Sequence, residues 1–92
     1  MIESFRHKGL RLLFEDGNRA KVKASDVKKI ERILARLNEA RDVRDMALPG
    51  YKLHPLKGDL AGFWSVQVSG NWRIVFRFEG AHAHDVDLID YH

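Results

Sequence analysis

Phe63-Trp64-Ser65-Val66-Gln67-Val68-Ser69-Gly70-Asn71-Trp72-Arg73-Ile74-Val75-Phe76-Arg77-Phe78 is the stretch that decides the fold. Its apolar residues recur with a period of two, and β-branched and aromatic side chains dominate, as in a half-buried pleated surface. Trp64, Val66 and Val68 fall on one face, while Phe63, Ser65 and Gln67 fall on the other. Ser69-Gly70-Asn71 interrupts the run where the chain must reverse, since glycine takes a positive φ without steric penalty. On the return, Trp72, Ile74, Phe76 and Phe78 share one face, and Arg73, Val75 and Arg77 share the other. The stretch is therefore an antiparallel hairpin with a core face and a partly basic face.

Working outward, a last strand is expected from about Ala83 to Ile89, followed at once by Asp90-Tyr91-His92. The period-two region starts at Tyr51, and Pro49-Gly50 separates it from a helical half. There, a short strand from Ile2 to Phe5 precedes a helix in which Leu10, Leu13 and Phe14 share a face, stopped by Asp16-Gly17-Asn18. Ser25 is the expected N-cap of a longer helix, with Asp26 suited to the positive end of its dipole. Val27, Ile30, Leu34 and Leu37 then recur at helical spacing and should face the core. Helices first and an antiparallel sheet later predict an α+β domain, with two N-terminal helices on one face of a small, mainly antiparallel sheet and the opposite face open.

The chain has 92 residues, room for a single domain spanning 1–92, and at this size roughly 60 to 65% of the unfolded surface is buried. No apolar run approaches the roughly 18 residues of a membrane span, and Met1-Ile2-Glu3-Ser4-Phe5 has no features of an export signal. The expectation is a soluble, cytoplasmic protein with no membrane partner. Cysteine is absent, which removes disulfides, thiolate metal sites and cysteine nucleophiles together. The formal charge of +3 and pI near 9.5 point to an anionic partner, nucleic acid first. Basic residues gather at Arg6, His7, Lys8 and Arg11, at Arg19, Lys21 and Lys23, and at Lys28, Lys29, Arg32 and Arg36.

Cutting RNA without a metal needs a base for the 2′-hydroxyl proton, an acid for the leaving 5′-oxygen, and cations for the phosphate. Histidine suits the proton transfers and arginine the phosphate, while tyrosine can pass a proton or stack on a base. His54, Lys57, Arg73, Tyr91 and His92 lie in segments expected to meet at one end of the sheet. Parity assigns Lys52 and His54, Arg73 and Arg77, and Tyr91 to the open face, whereas Lys57, Asp90 and His92 are placed near it by proximity alone. Each has a plainer reading: His54-Pro55 as a solvated turn, Lys57-Gly58-Asp59 as an ordinary loop, Asp90-Tyr91-His92 as a frayed end. Arg77 is expected to balance Asp85 or Asp87. His82 and His84 with Asp85 and Asp87 resemble metal ligands, but the segment reads as a turn and no further ligand is suitably spaced, so no metal and no cofactor is expected. Trp64 and Trp72 are assigned to the core.

Taken in order, Tyr51-Lys52-Leu53-His54-Pro55-Leu56-Lys57-Gly58-Asp59, Gly62 to Val68 and Asn71 to Phe76 resemble the RelE/ParE toxin superfamily, with its RelE-like microbial RNase fold. The opening, with Phe5-Arg6-His7-Lys8-Gly9-Leu10, and the ending Asp90-Tyr91-His92 resemble its HigB branch, the killer proteins of plasmid maintenance systems. The resemblance implies a ribosome-dependent endoribonuclease that cleaves mRNA in the decoding site of the 70S ribosome and is neutralised by a HigA-like, helix-turn-helix antitoxin. It implies His54, Asp90, Tyr91 and His92 as the catalytic group, with Lys57 and Arg73 binding phosphate. Asp90 is chosen by the resemblance alone, and the physical role suggested for it is to hold a histidine or lysine in place. The alternatives are a non-enzymatic inhibitor of DNA gyrase, as in the ParE branch, and a plain RNA-binding module. The terminal Asp90-Tyr91-His92 argues against the gyrase inhibitor, since a binder has no use for paired proton-transfer groups.

Overall fold

The alternation from Trp64 to Phe78 forms the two central strands of a four-stranded antiparallel sheet in the computed structural model, which describes residues 1–91. The strands are β1 (His54–Pro55), β2 (Trp64–Ser69), β3 (Trp72–Glu79) and β4 (His82–Asp90), in spatial order β1-β2-β3-β4. Gly70, at φ 52°, turns β2 into β3. Helices α1 (Lys8–Asp16) and α2 (Val27–Glu39) cover one face. The α+β expectation holds. Among the described residues, no helix is long and apolar enough to cross a membrane.

Helical spacing puts Leu10 and Leu13 of α1, and Ile30, Ile33, Leu34 and Leu37 of α2, into one core with Val66, Val68, Ile74, Phe76, Ala83 and Val86 of the sheet. The two helices start differently from what Ser25 suggests. His7 caps α1, its Nδ1 accepting from the Leu10 N–H at 3.1 Å. Among the described residues, no side chain caps α2. A 3₁₀ turn, Ala24–Asp26, leads into it and is held by backbone, Lys23 O accepting from the Asp26 N–H at 2.9 Å. Gly9 is required by close approach, since a Cβ there would lie 2.8 Å from Lys21 Cβ and from His7 Cε1.

Five other expectations change. Ile2 to Phe5 makes only isolated parallel bridges to β4, Ile2 to Ala83 and Phe5 to Val86, because the chain leaves for α1 before a ladder can form. His54-Pro55 is a short strand instead of a turn, and His82 and His84 belong to β4, the turn being confined to Gly80-Ala81. Trp72 is 40% exposed, because it sits at the hairpin end of β3, past the reach of the helices, while Trp64 packs against the core. The face away from the helices is not open throughout. Val75 and Ile89 are apolar on that side, and Leu56, Leu60 and Phe63 fold over to cover them, leaving Val75 and Ser65 buried.

Candidate active site

Residues opposite each other in an antiparallel pair share a face, so the register draws the site directly. His54 pairs with Ser65, Ser65 with Val75 and Val75 with Asp87, a row across all four strands on the face away from the helices. The next row, toward the hairpin, is Gln67, Arg73 and Ile89. Tyr91 follows Ile89 by one same-face step, and its N–H donates to Asn71 O at 2.8 Å. Strands lie about 4.8 Å apart and same-face residues about 6.8 Å apart along a strand, which sets the scale of the cleft. His54 and Tyr91 are exposed and Arg73 is half-buried between them.

Lys57 reaches this face by another route. It follows Leu56, which is buried against Val75 and Phe63, and it precedes the 3₁₀ turn Gly58–Leu60, so it rides on the loop that covers the middle of the sheet. The Leu56 N–H donates to Phe63 O at 2.9 Å and closes that loop. His54, Arg73, Tyr91 and Lys57 therefore border the covered patch instead of clustering at one end. Asp90 is set apart by parity: it pairs with Trp72 and shares its side of the sheet, the side opposite Arg73 and Tyr91. His92 lies outside the described residues.

The arginines of β3 differ in what holds them. Arg77 is pinned by two carboxylates, Nε at 2.8 Å from Asp85 and Nη1 at 3.0 Å from Glu79. Those hydrogen bonds raise its pKa above the ordinary arginine value, Asp85 contributing most, and Arg77 in turn lowers Glu79. Arg77 balances Asp85, as its position suggested. Arg73 instead donates from Nη1 to a neutral carbonyl, Gly70 O, at 3.2 Å, and Gln67 Nε2 donates to the same oxygen at 3.2 Å. The guanidinium is oriented toward the hairpin end of the face, where Tyr91 stands. Among the described residues, no three His, Asp or Glu side chains gather as metal ligands would.

Sequence reasoning missed how β4 is aimed. Val75 pairs with Asp87 but Arg77 with His84, so β4 carries one extra residue there, and Asp85 adopts φ +55°. Such a bulge redirects the side chains beyond it. Ser4 Oγ accepts from the Asp85 N–H at 2.8 Å and ties the bulge to the N-terminal segment. No period in the sequence marks this point, since a bulge is the loss of one.

Two comparisons bear on this arrangement. A family model described as "RelE-like toxin of type II toxin-antitoxin system HigB" matches residues 3–92. A relative named Endoribonuclease HigB, from Proteus vulgaris, is 47% identical over 92 residues, covering the whole of both chains.

Proposed function

The chain belongs to the HigB-like family of RelE-type toxins of type II toxin–antitoxin systems, and from that premise we propose that it is an endoribonuclease that arrests translation by cutting mRNA on the ribosome. The toxin has an RNA substrate and an antitoxin partner. We read the site as the decoding centre of the 70S ribosome, the antitoxin as a HigA-like helix-turn-helix protein, and the compartment as the cytoplasm.

The observation that carries this reading is the register that brings His54, Arg73 and Tyr91 to one face, with Lys57 on the loop above it. In the proposed reaction, a base removes the proton from a ribose 2′-hydroxyl, and that oxygen bonds to the adjacent phosphorus. The bond to the 5′-oxygen breaks, and an acid returns a proton to it. The products are a 2′,3′-cyclic phosphate upstream and a 5′-hydroxyl downstream. His54 and His92 are assigned the proton transfers, with Tyr91 assigned to donate a proton or to stack on a base. Arg73 and Lys57 neutralise the charge that builds on the phosphate, Arg73 with a planar fork and Lys57 as a point charge. Asp90, on the other side of the strand, acts as a positioning residue that orients the terminal segment.

A domain this small has little surface with which to bend a single strand into in-line geometry. A ribosome that already holds the messenger splayed supplies that positioning, which can be worth roughly 7 to 11 kcal/mol of barrier. The test is cleavage of one message by the purified protein, with and without translating ribosomes, followed by mapping of the new ends. Cleavage confined to ribosomes, leaving 5′-hydroxyl ends, is expected. Equal cutting of naked RNA would refute ribosome dependence, and 5′-phosphate ends would refute the attack by the 2′-oxygen.

A further inference from the structure

We infer that Arg6 is a further RNA-binding residue, holding a backbone phosphate that flanks the cleavage site; the inference rests on the RNA-cleavage reading above. Arg6 ends the N-terminal segment beside β4, and its own N–H donates to Val86 O at 2.8 Å, so its backbone is fixed to the sheet. Its guanidinium carbon lies 4.9 Å from the centre of the Phe63 ring. Phe63 belongs to the patch covering Val75, next to the loop that carries Lys57. Arg6 thus extends over the same face as His54 and Arg73 from the opposite side of the cover.

The charges around it favour an outside ligand. Asp85 gives Oδ2 to Arg77 at 2.8 Å, while its other oxygen makes only a loose ion pair with Arg6 Nε at 3.9 Å, too long for a hydrogen bond. Arg77 has a second carboxylate in Glu79, so the two acids of this cluster are both engaged by one arginine. The Arg6 side chain is 52% exposed against 32% for Arg77. A guanidinium over an aromatic ring is attracted by the negative face of the ring and keeps its N–H donors at its edge, where a phosphate can meet them in the plane. Arg77 is the structural member of the cluster, and Arg6 is the member aimed at an anion.

The experiment compares the full chain with Arg6→Ala, Arg6→Lys and Phe63→Leu. Binding is titrated over a range of salt on two probes. One is a short single-stranded RNA made of 2′-O-methyl nucleotides, which cannot be cut; the other is ribosomes carrying that sequence as message. Cleavage of the unmodified message and melting temperature are followed in parallel. Arg6→Ala is expected to weaken binding about ten-fold at low salt and to flatten the slope of log K against log salt by about 0.7, the contribution of one single-strand phosphate. Melting should be little changed. Arg6→Lys should restore the slope and only part of the affinity, and Phe63→Leu should weaken binding while leaving the slope as in wild type. Equal binding and equal salt slope for wild type and Arg6→Ala would overturn the inference alone and leave Arg6 as a cover for Phe63. Binding by wild type without cleavage of the unmodified message would instead overturn the endoribonuclease reading, and the Arg6 comparison would still be decided by the binding slopes.

Discussion

On the helix side of the sheet, Val66, Ile74, Phe76 and Val86 disappear entirely under α1 and α2; on the far side, the cover of Leu56, Leu60 and Phe63 stops around Val75 and Ile89. Beyond it stand His54, Arg73 and Tyr91, polar and partly or fully accessible. A face that needed only to be dry would carry apolar residues to the hairpin. A face that needed only to be wet would not bury Val75 and Ser65. The difference teaches that one side of the sheet holds the domain together while the other is a floor of limited size around which polar, accessible groups are held at the register's spacing.

Substitutions on the two faces should therefore separate stability from cleavage. The largest effect is expected from Phe76→Ala, which empties a fully buried ring position at the centre of the core and its edge-on contact with Phe78. A loss of about 3 to 5 kcal/mol follows from such truncations, a large part of the 5 to 15 kcal/mol that typically holds a domain of this kind. Chemical denaturation should show the midpoint falling steeply, and a shift under about 1 kcal/mol would mean the core is not centred there.

Arg73→Ala belongs to the other class. Its guanidinium is half-buried and bonded to the Gly70 carbonyl, so melting should barely move, while cleavage on ribosomes should fall on the order of 100 to 1,000-fold. Lysine should rescue only part, because it keeps the charge and loses the fork. A folded Arg73→Ala that cuts at the wild-type rate would make Arg73 a hairpin brace and nothing more.

That separation was half visible beforehand. Strong alternation from Trp64 to Phe78 and the helical spacing from Val27 to Leu37 were legible, because each strand or helix buries one continuous stripe and the sequence repeats at its period. What depends on distant contact was not. Trp72 has core parity, but parity cannot say that the helices end short of it. Leu56, Leu60 and Phe63 follow no single period, so their role as a cover emerges only once Val75 and Ile89 are seen to need one. The bulge at Asp85 depends on Ser4, separated by most of the chain, and it fixes on which side Asp87, Ile89 and Tyr91 fall. His54, Arg73 and Tyr91 could be assigned to one face from parity. Lys57 could not, and Asp90 came from family resemblance, its register setting it on the opposite side with Trp72.

Val75→Ala tests the boundary between the two faces. Val75 is buried on the far side, directly between Ser65 and Asp87 in the row that starts at His54. Losing its branch should cost about 1.5 to 3 kcal/mol and loosen the loop bearing Lys57, so a smaller drop in melting temperature than for Phe76→Ala should come with a measurable drop in cleavage. Cleavage unchanged at a temperature where the variant is fully folded would show that the cover does not position Lys57.

The smallest effect concerns the charged fringe of the far face. Glu79 is held below the ordinary glutamate pKa, first by the hydrogen bond from Arg77 and by its charge, then by His84, whose Nε2 lies 3.6 Å away, while Asp85 acts in the opposite direction. A carboxylate with a depressed folded pKa stabilises the fold fully above its unfolded value, about 4.3, and that contribution disappears as the pH falls through the lower folded value. Glu79 is largely solvated, so water and salt screen the pair. Wild type should therefore melt slightly above Glu79→Gln at pH 7 in low salt, and the gap should close both below about pH 4 and in about 1 M salt. Arg77 would keep Asp85 in the variant, so the bulge and the site beyond it should be unaffected and cleavage should stay at the wild-type rate. A gap that persists unchanged at low pH would mean that the ion pair contributes nothing and that the glutamate acts through packing; a loss of cleavage would mean that the fringe, and not only the bulge, holds β4 in register.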